Sequence, residues 1–172
     1  LRPGDTMLSI NGKPYDTLDE VIGIVENKSS LKSYGVKYEQ IDLIGDDFDI
    51  PKIVERAKKG NLKLICLQRS RGYTSRESLS IVKIEKVIKF VKNLDKNVIV
   101  FVDNCYGEFV DTLEPTAVGA DVMVGSLIKN AGGGIAPTGA YIVGTEYAIE
   151  QISSRFIAPS IGLELGSYAG SY

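Results

Sequence analysis

Three residues with amine, carboxylate and hydroxyl side chains lie near the ends of two apolar runs in the middle of the chain. The first run, 98–102, stops at Asp103, and the second, 122–124, leads into Ser126, with Lys129 three residues later. Each run indicates a strand buried on both faces, as in a parallel sheet. Ligands of such sheets bind outside the carboxyl ends of the strands. We therefore expect Asp103, Ser126 and Lys129 to meet at one edge of a sheet.

These three side chains together suit the binding of pyridoxal phosphate. A lysine amine holds this cofactor as an imine, and a carboxylate keeps its ring nitrogen protonated, so that the ring withdraws electrons. Ser126 would add a hydroxyl for the phosphate. The alternatives are that Lys129 is a surface lysine in a loop and that Asp103 caps a turn, since aspartate favours turns.

Other candidates lie at the same predicted edge. Tyr15 follows a strand candidate at 6–10 and precedes a helix, so its ring can stack on a flat cofactor; the alternative is an ordinary half-buried tyrosine. Arg69 and Arg71 follow a strand candidate at 62–67, and either can bind a phosphate or a substrate carboxylate through paired hydrogen bonds. A solvated loop is the alternative, and spacing does not choose between the two arginines.

Composition excludes several function classes. The 172 residues include no histidine, which removes Ser-His-Asp triads, Cys-His dyads and most zinc sites. The net charge of −2 gives no electrostatic case for nucleic acid or an anionic membrane. No apolar run approaches the roughly 20 residues that span a bilayer. Cys66 and Cys105 form no CxxC pair, and Cys66 reads as a buried free thiol, which favours a cytoplasmic protein.

The alternation of strand and helix patterns predicts an α/β fold, with a mostly parallel sheet and helices on both faces. The remaining strand candidates are 36–43 and 140–143. Helices are expected with an apolar stripe within 18–25, from about 50 to Gly60, from Ser78 or Ser80 onward, and from Thr145 to about Phe156. The inward residues expected for the last three helices are Ile50, Ile53, Val54 and Ala57; Ile84, Val87, Ile88 and Val91; and Ile149, Ile152 and Phe156.

A long central segment resembles a known family. Residues 101–144 read FVDNCYGEFVDTLEPTAVGADVMVGSLIKNAGGGIAPTGAYIVG, which closely resembles the methionine gamma-lyase-like family, often named aluminium-resistance proteins. These are relatives of the cystathionine lyases in the fold-type-I pyridoxal-phosphate superfamily. Segments 1–24 and 64–81 are similar to the same family, so the resemblance spans most of the chain.

The resemblance implies a role for each candidate side chain. Lys129 would be the Schiff-base lysine, Asp103 the partner of the pyridinium nitrogen and Ser126 a phosphate ligand. Tyr15 would be the tyrosine that stacks on the cofactor ring, and Asn104 and Cys105 would flank the ring. Related lyases often carry a small hydroxyl residue at the position of Cys105.

The resemblance also implies an activity and an assembly. The expected enzyme is a carbon–sulfur lyase that converts a sulfur-containing amino acid to a keto acid and ammonia by β- or γ-elimination. The expected assembly is a homotetramer built from dimers that share active sites. Residues 1–172 would be the central part of the cofactor-binding large domain, with an N-terminal segment and a small C-terminal domain outside it. The alternatives are another pyridoxal-phosphate reaction, such as that of an aminotransferase, or a cofactor-free α/β domain that kept the fold.

Overall fold

A single sheet runs through the computed structural model, which describes residues 1–130, 132–156 and 159. In this part of the chain the strands lie in the order β2-β1-β3-β4-β5-β6. Their bounds are Thr6–Ser9 (β1), Lys37–Gln40 (β2), Leu62–Gln68 (β3), Ile99–Asp103 (β4), Val122–Ser126 (β5) and Ala140–Gly144 (β6). All neighbouring strands are parallel except β5 and β6, which are antiparallel. The predicted mostly parallel α/β sheet is therefore confirmed.

Four α-helices connect or follow the strands within the described residues. They are Asp19–Ile22 (α1), Ile50–Lys58 (α2), Ile81–Leu94 (α3) and Glu146–Phe156 (α4). Ser80, rather than Ser78, begins α3, because its side chain accepts a hydrogen bond from the backbone N–H of Lys83. No helix in these residues is both long and apolar enough to cross a membrane.

The two faces of the sheet are covered unequally. The larger core packs α2 and α3 against one face, where alternate strand residues such as Leu8, Leu67 and Val102 are fully buried. The other face carries a small cluster of four buried residues, which are Met7, Ile22, Val36 and Cys66. Since side chains alternate between the faces of a strand, the position of each residue along β3 or β4 decides which of these environments it enters.

The prediction of an apolar helical stripe within residues 18–25 is wrong. The α1 helix is a single turn, and only Ile22 within it is buried, at 2 % exposed, whereas Val21 and Val25 are 54 % and 50 % exposed. The cause is Gly23, whose φ of 94° places the backbone in the left-handed region and ends the helix. A stripe that needs two turns therefore has no helix to display it.

The inward face of α4 also differs from the expectation. Phe156 is 68 % exposed, and the buried residues of this helix are Ala148 and Ser153. Thr145 does cap the helix, since its hydroxyl accepts a hydrogen bond from the N–H of Ala148 at 3.3 Å. The start of the helix is therefore as expected, but its orientation follows small residues rather than the aromatic one.

Candidate functional site

A cavity of about 460 Å³ lies at the carboxyl edge of the sheet, beyond the ends of β1, β3 and β4. Parallel register brings these ends together, because Gln68 of β3 lies beside Asp103 of β4, which in turn lies beside Val124 of β5. The polar and aromatic side chains that line the cavity include Tyr15, Arg71, Tyr73, Asp103, Cys105 and Lys129. The expected meeting of Lys129 and Asp103 at one edge is therefore observed, in a cavity of the size that small molecules occupy.

Lys129 is held against the loop that follows β4 and carries Cys105 and Tyr106. Its Nζ donates a hydrogen bond to Cys105 Sγ at 3.0 Å and lies 5.1 Å from the centroid of the Tyr106 ring. Burial acts to lower the pKa of Lys129, but the interactions with Cys105, Tyr106 and Asp103 together outweigh it and raise the pKa. Without a ligand the amine is therefore a protonated donor, stabilised by a thiol and an aromatic face.

Asp103 is the last residue of β4, and its carboxylate has one oxygen committed and one available. Oδ1 accepts a hydrogen bond from the backbone N–H of Cys105 at 3.0 Å, which fixes the side-chain orientation. Among the described residues, Oδ2 has no hydrogen-bond partner. A cationic group in the cavity would find this oxygen already aimed by the turn.

Ser126 lies beside the cavity rather than in its wall. It ends β5, and its Oγ is 3.7 Å from Cys105 Sγ. The strand register puts Ser126 on the same face as Asp103, two residues beyond the Val124 partner. Cys105 thus stands between Lys129 and Ser126 and contacts both.

Tyr15 is paired with a second tyrosine that the sequence analysis did not single out. The hydroxyls of Tyr15 and Tyr73 are 2.8 Å apart, and the ring centroids are 5.5 Å apart at an angle of 34°. The hydrogen bond to Tyr73, followed by burial, raises the pKa of Tyr15 to about 12. The sequence signal that could have identified Tyr73 is its position, since it lies in the polar loop at the carboxyl end of β3.

The two arginines go to opposite sides of the sheet. Arg71 lines the cavity and is exposed, and its guanidinium makes no hydrogen bond or ion pair with any described residue. Arg69 is only 3 % exposed and does not reach the cavity. It follows Gln68 on the alternating pattern of β3, which turns it to the face of Leu67 and the larger core. This placement argues against Arg69 as a phosphate or substrate ligand and leaves Arg71.

Arg69 is the centre of a buried polar cluster, here called the Arg69 network. Its Nη1 donates to Asn104 Oδ1 at 3.0 Å and to the Gly107 carbonyl at 2.8 Å, and its Nη2 donates to Asp111 Oδ2 at 2.5 Å. A Cβ at Gly107 would lie 2.5 Å from Arg69 Cδ, so only glycine leaves room for this side chain. The other members of the network are Glu108, Glu114 and Tyr141.

Asn104 belongs to this network, which corrects the expectation that it flanks a cofactor ring. Its side chain is fully buried, and its amide donates to Glu114 Oε2 at 2.9 Å and to the Tyr141 hydroxyl at 3.1 Å. Asn104 directly follows Asp103, so it faces the opposite side of the sheet. It holds the loop that carries Cys105 and Tyr106 from behind.

Comparison with known proteins relates the chain to one family. The family model described as methionine gamma-lyase matches residues 1–172. The protein YnbB of Bacillus subtilis (strain 168) is 52 % identical over 172 residues, which cover 97 % of this chain and 40 % of that protein. The chain thus spans about two fifths of the length of this relative.

Solved structures agree with the family match. A protein from Clostridium acetobutylicum, proposed to be a cystathionine beta-lyase involved in aluminium resistance, superposes with a TM-score of 0.92 at 53 % identity, over 96 % of this chain and 40 % of that one. A carbon–sulfur lyase involved in aluminium resistance from Clostridium novyi NT gives a TM-score of 0.88 at 52 % identity, over 94 % and 39 %.

More distant structures share the fold alone. They include an alanine–glyoxylate aminotransferase from Nostoc sp., with a TM-score of 0.63 at 16 % identity over 91 % of this chain and 37 % of that one. The pyridoxal-5'-phosphate dependent protein YhfS from Escherichia coli gives 0.65 at 18 %, over 88 % and 36 %. Because the family model matches every residue from 1 to 172, this chain belongs to the methionine gamma-lyase family.

Proposed function

We propose that the intact protein is a pyridoxal-phosphate-dependent carbon–sulfur lyase that releases a keto acid and ammonia from a sulfur-containing amino acid. The observation that carries the proposal is that Lys129, Asp103 and Tyr15, from three separate parts of the chain, line one cavity. Membership of the methionine gamma-lyase family and the likeness to a carbon–sulfur lyase from Clostridium novyi NT support it.

The side chains present fit the cofactor. The cavity offers an amine at Lys129, an aromatic face at Tyr15, and two groups without a partner among the described residues, the Asp103 Oδ2 atom and the Arg71 guanidinium. These are the groups that a pyridinium ring with an aldehyde and a phosphate requires. When bound, pyridoxal phosphate supplies an electron sink that stabilises negative charge at the substrate α-carbon.

Lys129 and Asp103 divide the work of binding and proton transfer. Lys129 would hold the cofactor and, when a substrate amine displaces it, move the proton at the α-carbon, because its Nζ reaches into the cavity. Asp103 would pair with the ring nitrogen through Oδ2, and the bond between Oδ1 and the Cys105 N–H fixes its direction. The end of β4 would therefore hold the ring nitrogen in a fixed position.

Arg71, Ser126 and Tyr15 would complete the binding of charged and flat groups. Arg71 lines the cavity with a guanidinium that can bind a substrate carboxylate or a phosphate through paired hydrogen bonds. Ser126 offers its hydroxyl from beside Cys105 to the phosphate. Tyr15 would cover the ring, with its backbone N–H fixed by Gln68 Oε1 at 2.7 Å.

The proposal extends to the partner molecules and the location of the intact protein. We propose an amino-acid substrate, a cytoplasmic location and a homotetramer made of dimers that share active sites. Sedimentation of the intact protein at several concentrations would test the assembly, and a stable monomer would contradict it.

The decisive assay measures products from the intact protein after loading with pyridoxal phosphate. L-cystathionine, L-methionine and L-cysteine are each supplied with and without a keto acid as amino acceptor. Release of keto acid and ammonia without the acceptor supports the lyase. Turnover that requires the acceptor would show an aminotransferase instead, and a colourless protein that takes up no cofactor would show a cofactor-free domain.

A further inference from the structure

Tyr73 has a specific contact that the proposed function leaves unused. It lies in the loop between β3 and α3, its side chain is 83 % exposed, and it lines the cavity. Its hydroxyl, 2.8 Å away, is the only hydrogen-bond partner that the described residues provide for the Tyr15 hydroxyl. Tyr73 is thus an exposed tyrosine whose hydroxyl forms a specific hydrogen bond beside a ligand-sized cavity, and this contact needs a functional explanation.

The loop that carries Tyr73 is tied to the backbone of Tyr15. The side chain of Gln68 joins them, since Oε1 accepts from the Tyr15 N–H at 2.7 Å and Nε2 donates to the Ser70 carbonyl at 3.2 Å. Thr74 closes the turn, because its hydroxyl donates to the Arg71 carbonyl at 2.6 Å. The backbone of the loop that carries Tyr73 is therefore held in place relative to Tyr15.

Gly72 leaves room for this loop next to the Tyr15 ring. It has a φ of +57°, and a Cβ built there would lie 3.7 Å from Tyr15 Cδ2 and 3.3 Å from Gln68 Nε2. A side chain at this position would therefore be strained and would stand against the edge of the ring. The next residue of the loop, Tyr73, contacts the hydroxyl at the tip of the same ring.

The proton on Tyr15 is also controlled by this pair. The pKa of Tyr15 is raised to about 12, first because of the hydrogen bond to Tyr73. The phenol is protonated across the neutral range, and its hydroxyl shares one hydrogen bond with the hydroxyl of Tyr73. A neutral, tethered ring serves as a stacking surface with one orientation, and it does not serve as a base at neutral pH.

We propose that Tyr73 is a positioning residue that sets the angle of the Tyr15 ring, so that the two tyrosines close the cavity over a flat heteroaromatic ligand. The identity of that ligand as the pyridoxal ring rests on the proposed function. The coupling between the two tyrosines does not, and it is measured without cofactor.

The test uses Tyr73→Phe in the intact protein, which removes the hydroxyl and keeps the ring. In the cofactor-free protein, the Tyr15 phenol is titrated by NMR of tyrosine labelled with carbon-13 at Cζ, and its signal is assigned by its loss in Tyr15→Phe. The titration midpoint of Tyr15 is expected to fall from about 12 toward the ordinary value of 10.0. Tyr34→Phe, at an exposed tyrosine outside the cavity, is the matched control and leaves the midpoint unchanged.

A second measurement follows binding of pyridoxal phosphate to the same variants by its visible circular dichroism. Because Tyr73→Phe frees the Tyr15 ring to take other orientations before the cofactor binds, we expect the affinity to fall by up to about tenfold, the limit set by one neutral hydrogen bond. Tyr15→Phe and the double variant should show the same loss as Tyr73→Phe, because each breaks one shared contact.

An unchanged Tyr15 midpoint in Tyr73→Phe would overturn the inference, and so would a shifted midpoint with unchanged cofactor affinity and dichroism. Failure of the wild-type protein to bind pyridoxal phosphate would refute the proposed function instead. In that case the cofactor-free titration still decides whether Tyr73 controls Tyr15.

Discussion

The two sides of the sheet at its carboxyl edge differ in how their polar groups are satisfied. On the cavity side, Arg71 and Asp103 Oδ2 have no described partners. On the opposite side, Arg69 contacts two carboxylates, an amide oxygen and two carbonyls. The residues involved are one or two positions apart in sequence. The step from Asp103 to Asn104, or from Arg69 into the loop at Arg71, separates a group available for binding from one that maintains the structure.

The difference follows from what burial requires of a charge. Removing an ion from water costs several kcal/mol unless partners replace the solvent. Arg69 is 3 % exposed and each of its three guanidinium nitrogens donates a hydrogen bond, whereas Arg71 is exposed and needs no internal partner. The network therefore stabilises the loop of Cys105 and Tyr106 from behind, and the cavity side remains open for a ligand.

The largest expected effect comes from a substitution that changes only the cavity side of the sheet. Lys129→Ala in the intact protein should abolish the visible band of bound pyridoxal phosphate and all keto-acid release, because Lys129 is the only lysine among the described residues that line the cavity. The thermal unfolding midpoint should stay within a few degrees of wild type, since Lys129 is only half-buried. Lys89→Ala, at an exposed lysine of α3, is the control. Survival of the band would remove Lys129 from this role.

Arg69→Met should disrupt the Arg69 network on the opposite side of the sheet. Removing the guanidinium leaves carboxylate and carbonyl groups unpaired, so we expect a loss of about 3–5 kcal/mol in the free energy of unfolding. Arg71→Met should change it by about 0.5 kcal/mol or less, because an exposed side chain contributes little to stability. Urea unfolding of both variants measures the contrast, and equal losses would contradict it.

Asp103→Asn sharpens the comparison at a single atom. The amide oxygen still accepts from the Cys105 N–H, so stability should change little. Loss of the charge-assisted bond to the ring nitrogen should lower turnover about 10- to 150-fold.

The mirror substitution, Asn104→Asp, places a carboxylate beside Glu114 and should destabilise the fold instead. Activity assays and urea unfolding of the two variants distinguish the sides. A stability loss in Asp103→Asn as large as that in Asn104→Asp would contradict the division.

The smallest expected effect is a shift in pH dependence. Interactions that include Cys105 raise the pKa of Lys129 above the level that burial alone would give. Only the neutral amine attacks the cofactor aldehyde, so loading should speed up as pH rises toward that pKa. Cys105→Ala should move the loading profile to lower pH, as followed by growth of the visible band from cofactor-free protein. Cys66→Ala is the control, and a profile unchanged in Cys105→Ala would exclude the thiol contact.

Much of the fold was predictable because local signals agreed with the final packing. The stripe of α3 from Ile84 to Val91 is buried as expected, and the runs before Asp103 and Ser126 are central strands. The antiparallel pairing of β6 was not predictable, because a short strand carries no sign of its direction. The failed stripe at 18–25 shows how one glycine, Gly23, overrides a longer pattern.

The site was predictable in its chemistry and less so in its boundaries. Strand ends placed Lys129, Asp103 and Tyr15 together, because parallel strands share one carboxyl edge. The placement of Arg69 and Asn104 required alternation to be continued one residue past the ends of β3 and β4. Alternation does not separate Arg69 from Arg71, which are two residues apart, and it is the loop after β3 that brings Arg71 to the cavity. Tyr73 was missed because its importance comes from a contact with Tyr15, 58 positions away in the chain.

The alternation along β3 and β4 has a consequence for evolution. Inserting or deleting a single residue before Gln68 or Asp103 would exchange the solvent-facing and interior side chains of that strand end, burying the acid and exposing the asparagine. Substitutions that keep the strand lengths leave this division of side chains in place, whereas a change in the length of either strand does not.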